Sequence, residues 1–159
     1  MTRARQALSL VISVAICLGA AGIGFLLTAP SLGTWYPTLV KPGWNPPNWV
    51  FGPVWTFLYV SMAVAAWLVW RWSQELPVRV PLRLFSVQLA LNVAWSGIFF
   101  YLHHIGVAVA EVLLLWSFIL ATTVAFRRVS RAAALLMVPY LAWVSFAAYL
   151  NFTVWRLNR

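Results

Sequence analysis

Aspartate is missing from this 159-residue chain, and only two glutamates, Glu75 and Glu111, supply carboxylates. Without aspartate no Ser-His-Asp set can form. The two glutamates fall near opposite ends of the apolar segments, so neither paired-carboxylate chemistry nor a carboxylate-based metal site is expected. Cys17 is the only cysteine. A lone thiol makes no internal disulfide and no Cys-based metal site. The two histidines, His103 and His104, are adjacent. On a regular helix they would point about 100° apart and could not grip one metal together. They read as hydrogen-bonding residues at a turn rather than haem ligands. No Gly-rich phosphate cradle is present either.

What the chain has in excess is apolar surface. It is 64 % hydrophobic and 8 % charged, against roughly 45–50 % and about 25 % in soluble domains. A small water-soluble fold could not hide that much apolar area. The net charge of +9 and pI near 11.2 would suggest nucleic acid in a soluble protein. Here the basic residues sit between apolar runs, where they act as topology determinants and headgroup contacts. No nucleic-acid partner is expected; membrane lipids are.

About 20 apolar residues are needed to cross a bilayer. Five stretches qualify, at about 7–28, 49–70, 84–102, 107–126 and 133–154. An open sheet would leave its edges unpaired in lipid, and a barrel would alternate polar with apolar residues, which these continuous runs do not. The fold class is therefore an all-α membrane protein, a five-transmembrane-helix bundle in one domain over 1–159 with no soluble domain. The first run is too long for a signal-peptide core and reads as a retained helix.

The connections differ in character. The first, 29–48, is long and rich in Pro and Gly; the second is polar; the third is a tight turn around His103, His104 and Gly106; the fourth is basic. Arg3, Arg5, Arg71, Arg79, Arg83, Arg127, Arg128 and Arg131 fall on one side, against Lys41, Arg156 and Arg159 on the other. For a multi-pass protein of a bacterial cell membrane, the positive-inside rule then predicts the N-terminus cytoplasmic and the C-terminus outside. Trp67, Trp70, Trp72 and Trp155 lie near span ends and read as interfacial anchors.

Few polar residues enter the spans. Glu111 sits one turn into the fourth, where a headgroup-level hydrogen bond is expected. Asn92, deeper in the third, needs a partner inside the bundle and serves as structural glue or ligand contact. The aromatic pattern is stronger. Phe51, Trp55 and Tyr59 recur every four residues and share a helix face. Asn92 and Trp95 are three apart, and Trp143, Ala147 and Leu150 stand at i, i+4 and i+7. Such faces are expected to point inward. Opposite the Gly and Ala residues of span one, large rings would leave room for a flat apolar ligand.

The run Trp35-Tyr36 … Lys41-Pro42-Gly43-Trp44-Asn45-Pro46-Pro47-Asn48-Trp49-Val50-Phe51-Gly52-Pro53-Val54-Trp55 resembles the signature of the TspO/translocator protein family, also called tryptophan-rich sensory proteins or peripheral benzodiazepine receptors. The blocks Gln88 to Trp95, Pro139 to Trp143 and Leu150 to Arg156 agree with it. The resemblance implies a homodimeric five-helix bundle with a pocket capped by the first loop. The pocket would be lined by Tyr36, Pro47, Phe51, Trp55, Asn92, Trp95, Trp143, Ala147 and Leu150. It also implies tetrapyrrole ligands, protoporphyrin IX or haem, with no obligatory cofactor, and synthetic benzodiazepine-type ligands. Phe152 and Thr153 stand where the animal members' sterol motif has tyrosine, so sterol binding is expected to be weak.

Three functions compete. The first is a receptor or sensor that binds porphyrin, with a transport or regulatory role. The second, implied by the resemblance alone, is a light- and oxygen-dependent porphyrin-degrading enzyme using Trp55 and Trp143. An ion-driven transporter is disfavoured, because no charge lies deep in a span. Ser86, Ala90 and Ala94 form a small-xxx-small series on span three, which suits either packing within the bundle or a dimer interface; the resemblance favours the dimer.

Overall fold

Thr2 and Ser130 start the two longest helices by the same device. In the computed structural model, which describes residues 2–159, the Thr2 hydroxyl accepts from the Arg5 amide at 3.4 Å and the Ser130 hydroxyl from Ala133 at 3.3 Å. Each satisfies one of the first-turn donors that a helix cannot pair itself. The helices are α1 (Arg3–Leu32), α2 (Asn48–Trp70), α3 (Arg79–Ser96), α4 (Ile105–Arg127) and α5 (Arg131–Leu157). All five are long and apolar enough to cross a membrane.

These helices overrun the apolar stretches. α1 and α5 exceed the expected 7–28 and 133–154 at both ends, and α3 begins five residues before position 84. The reason is that a charged residue at headgroup level costs little while its backbone stays helical. Arg79 and Arg83 on α3 are exposed in this way.

α1 packs on α2 and α3, α2 on α5, α5 on α4, and α4 on α3, so the bundle closes in the cyclic order α1–α2–α5–α4–α3. Lipid removes the hydrophobic drive between helices, leaving close packing and interhelical hydrogen bonds to hold them. Ala63, Ala65 and Ala66 are buried on α2, and the Ser13 hydroxyl of α1 donates to the Ala63 carbonyl at 2.7 Å. Trp67 ties the same pair, its Nε1 donating to the Gln6 carbonyl at 3.0 Å. This tryptophan is thus an interhelical tie. Around these contacts Leu58, Met62, Phe85, Phe126, Met137 and Tyr140 form the main core.

The opposite end, where the first loop lies, is built differently. After Ser96 the chain widens into a π-helical turn, Gly97–Tyr101, and Leu102 donates to the Gly97 carbonyl at 2.9 Å. His103 then adopts φ 59°, a left-handed conformation uncommon without glycine. The turn between α3 and α4 is therefore wider than a simple reversal, and Gly106 belongs to α4 rather than to the turn.

Candidate functional site

Between the loop-side halves of α1, α2 and α3 lies a cavity of about 610 Å³. Phe51, Trp55 and Tyr59 form its α2 wall, as their four-residue spacing predicts. α1 contributes Ala21, Gly22, Gly24 and Thr28. The missing side chains matter: a Cβ on Gly24 would come within 3.5 Å of the Ser96 hydroxyl, and one on Gly22 would meet nothing within 4 Å. Small residues on α1 hold the facing rings apart from a second wall. Trp95 and Phe100 close the α3 side and Tyr36 the top.

The floor rests on a buried polar chain. The Tyr59 hydroxyl donates to Asn92 Oδ1 at 2.6 Å, and Asn92 Nδ2 donates to the Tyr140 hydroxyl at 2.7 Å. Asn92 is thus the glue among α2, α3 and α5. A second chain lies nearby: Trp95 Nε1 donates to Asn151 Oδ1 at 3.0 Å, and Asn151 Nδ2 to the Ile105 carbonyl at 3.2 Å. Groups of this kind stay paired in lipid because no water replaces a lost partner.

The first loop, whose Tyr36 closes one end of the cavity, is pinned at several points. Lys41 Nζ donates to the carbonyls of Tyr36 at 2.8 Å and Leu39 at 3.0 Å, and lies 4.7 Å above the Tyr36 ring. Burial raises the pKa of the Tyr36 phenol, while its hydrogen bond to Asn45 works the other way. Trp35 stacks on His103 with centroids 4.0 Å apart, and Trp44 on Tyr149 at 5.3 Å. The Ser31 hydroxyl donates to the Phe100 carbonyl, so in the 3.0 Å contact with His103 the imidazole Nε2 carries the hydrogen. Asn158 clasps the loop at Val40, accepting from its amide and donating to its carbonyl, both at 2.9 Å.

Of the residues named from sequence, Tyr36, Phe51, Trp55 and Trp95 line the cavity. Asn92 lies one shell below, behind Tyr59. Trp143 stands beyond Phe51, ring centroids 5.8 Å apart, and its buried Nε1 has no partner among the described residues. Leu150 is buried among Tyr36, Phe99, Ala108 and Val154. Ala147 is half-buried on α5, and Pro47 is exposed at the start of α2. Pro47, Asn92, Trp143, Ala147 and Leu150 are outside the cavity wall. Tyr59, Gly24, Thr28 and Ser96 line it and were not singled out as site residues. Tyr59 had its signal in the aromatic stripe; the other three had only their small size.

Glu111 departs from expectation. It is buried rather than turned outward, and neither carboxylate oxygen has a partner among the described residues, so the expected hydrogen bond is not made there. It shares the inward face of α4 with Ala108 and Leu115, which are also buried. Position along the helix allowed it to reach the interface, but its place around the helix turns it inward.

A family model described as "TspO/MBR family" matches residues 13–156. The chain belongs to the TspO/MBR family. It is 46 % identical over 156 residues to the tryptophan-rich protein TspO of Chlorobaculum tepidum, covering 97 % of this chain and 98 % of that protein. It is 45 % identical over 151 residues to the human translocator protein, covering 86 % and 89 %. Protein CrtK of Rhodobacter capsulatus is 42 % identical over 143 residues, 89 % and 86 %. As a TspO/MBR protein with five spanning helices, the chain is an integral, multi-pass membrane protein.

Proposed function

We propose that this TspO/MBR protein is a receptor- or sensor-type protein that binds tetrapyrroles, protoporphyrin IX or haem, in the aromatic cavity beneath the first loop. The observation that carries this is the cavity itself, with rings on two walls and small residues on the third. Its size of about 610 Å³ lies within the roughly 300–1,000 Å³ of ordinary ligand sites. Indole and phenol rings give a flat ligand large contact area at low entropy cost. Synthetic benzodiazepine-type ligands would use the same rings; sterols, with Phe152 and Thr153 on α5, would bind weakly. Lys41 is already engaged by loop carbonyls, so it supports the lid rather than a ligand carboxylate. The reading extends to a transport or regulatory role only as a consequence of binding.

Titrating protoporphyrin IX into the reconstituted protein, with the porphyrin absorbance band as readout, tests this. Saturable binding is expected, weakened about tenfold in Trp55→Ala. No saturable change, or an unchanged affinity in the variant, would overturn it. The degradative alternative has less support. No Asp, Glu, His, Lys or Arg is among the described residues lining the cavity, and Trp143 is set behind Phe51.

Two further inferences accompany this reading. Ser86, Ala90 and Ala94 are all exposed on α3, which supports a homodimer packed through that face. On a bacterial cell membrane, which Phe152 and Thr153 in place of the sterol-motif tyrosines favour, the arginine distribution supports a cytoplasmic N-terminus.

A further inference from the structure

The geometry points to a lateral portal between α1 and α2: the ligand enters and leaves the cavity from the bilayer, not past the first loop. This rests on the cavity being a binding site. Two observations carry it, one at the top of the cavity and one at its side.

At the top, the loop is fastened at three points. Trp35 stacks on His103 in the α3–α4 turn, Trp44 on Tyr149 of α5, and Val40 is held at both backbone groups by Asn158. Beneath them Tyr36 is only 6 % exposed. A ligand arriving from water would have to break several of these contacts together.

The side is open. Leu18, Gly22 and Phe25 line the cavity and are nevertheless exposed on the outer surface of α1. They stand at i, i+4 and i+7, so they form one edge of that helix. Facing them, Trp49, Gly52 and Thr56 do the same on α2 at i, i+3 and i+7. A residue that both lines a cavity and meets the surroundings of the bundle marks its mouth. Two such rows on neighbouring helices make a slot.

Depth and chemistry identify what the slot meets. Phe25 and Leu18 lie about 10 and 21 Å below the loop-side end of α1, at 1.5 Å per residue. The slot therefore runs from the loop-side end of α2, where Trp49 stands, down into the acyl region of one leaflet. Its α1 edge is wholly apolar; on α2 the polar groups are Asn48 and the Trp49 indole at the loop-side end and Thr56, whose hydroxyl donates to the Gly52 carbonyl at 2.9 Å. Phe25 is 64 % and Trp49 76 % exposed, so the mouth carries two rings against which a flat, lipid-dissolved ligand can slide. The glycines hold it open: a Cβ at Gly22 or Gly52 meets nothing within 4 Å.

A portal changes rates without changing affinity, because a barrier crossed in both directions cancels at equilibrium. In nanodiscs, stopped-flow quenching of tryptophan fluorescence by membrane-borne protoporphyrin IX gives both rate constants. Narrowing the slot with Gly22→Leu and Gly52→Leu should slow dissociation as well as association, by about tenfold; a side chain that merely occupied ligand space would instead speed dissociation. Phe25→Ala, which widens the mouth, should speed both, and serves if the double variant folds poorly. Asn158→Ala, which frees the loop, should leave both rates as they were. Rates indifferent to all the slot variants, or raised by Asn158→Ala, would overturn the portal while leaving cavity binding intact. Absence of any quenching in the unmodified protein would overturn the binding reading, and the portal with it.

Discussion

The Tyr59 hydroxyl reaches Asn92 Oδ1 at 2.6 Å, joining the floor of the cavity to the third helix. Because Asn92 passes a second hydrogen bond to Tyr140, one carboxamide fixes three helices and the tilt of a cavity-lining ring. Interhelical hydrogen bonds in membranes contribute modestly, about 0.6 kcal/mol on average and rarely above about 1.7. Asn92→Ala removes two, so about 1–3 kcal/mol should be lost. Thermal unfolding in detergent should show a lower midpoint, and ligand affinity should fall as well, since Tyr59 loses its partner. An unchanged midpoint would contradict the network.

Gly106 offers a sharper steric test. A Cβ there would stand 2.7 Å from Trp155 Nε1, closer than packed atoms tolerate. Trp155 is itself covered by the Arg159 guanidinium, 4.1 Å from its ring. Gly106→Ala should force this indole aside and lower the unfolding midpoint, at a cost of about 1–3 kcal/mol for overpacking. The cavity is remote from Gly106, so porphyrin affinity should not follow. Equal losses in both would mean that the two ends of the loop-side bundle are coupled more tightly than the contacts indicate.

The clasp between Asn158 and Val40 predicts local rather than global behaviour. In Asn158→Ala the amide of Val40 loses its acceptor, and hydrogen exchange over residues 38–42 should accelerate by about tenfold or more. The core, with Met62, Tyr140 and Phe126 buried elsewhere, should keep its protection. Exchange unchanged in the loop would show that Trp35 and Trp44 hold it without the clasp.

The α3 face predicts assembly. Ser86, Ala90 and Ala94 are exposed, and small residues there let two helix backbones approach. Ala90→Leu should shift the protein towards monomer in light-scattering chromatography, with the monomer's helical signal unchanged. A dimer that persists would place the interface elsewhere.

Much of this architecture is legible in the sequence, because lipid imposes simple demands. Long uninterrupted apolar runs allow only helices, so five spans follow directly. The Phe51, Trp55 and Tyr59 stripe, though apolar throughout, marks an inward face because large rings recur on it. Other features are hidden for physical reasons. A helix that meets lipid is apolar all round, so hydrophobicity could not show that Glu111 turns inward or that Leu150 packs under Tyr36. Gly97 to Tyr101 carries no signal for a π-helical turn, and His103 is no glycine although it takes a left-handed φ. The resemblance to known relatives reached Tyr36, Trp55 and Trp95, yet the α1 wall is made by what is missing at Gly22 and Gly24. An absent side chain gives periodicity nothing to detect.

The most direct test fills the cavity without removing any ring. Gly24 faces its interior, and a first carbon there is tolerated at 3.5 Å from Ser96, so Gly24→Leu would project the rest of its side chain into the ligand space. Equilibrium tryptophan quenching by protoporphyrin IX should be saturable in the unmodified protein and largely lost in Gly24→Leu, with the unfolding midpoint retained. The same affinity in both proteins would contradict the account, because the porphyrin would then be bound somewhere other than this cavity.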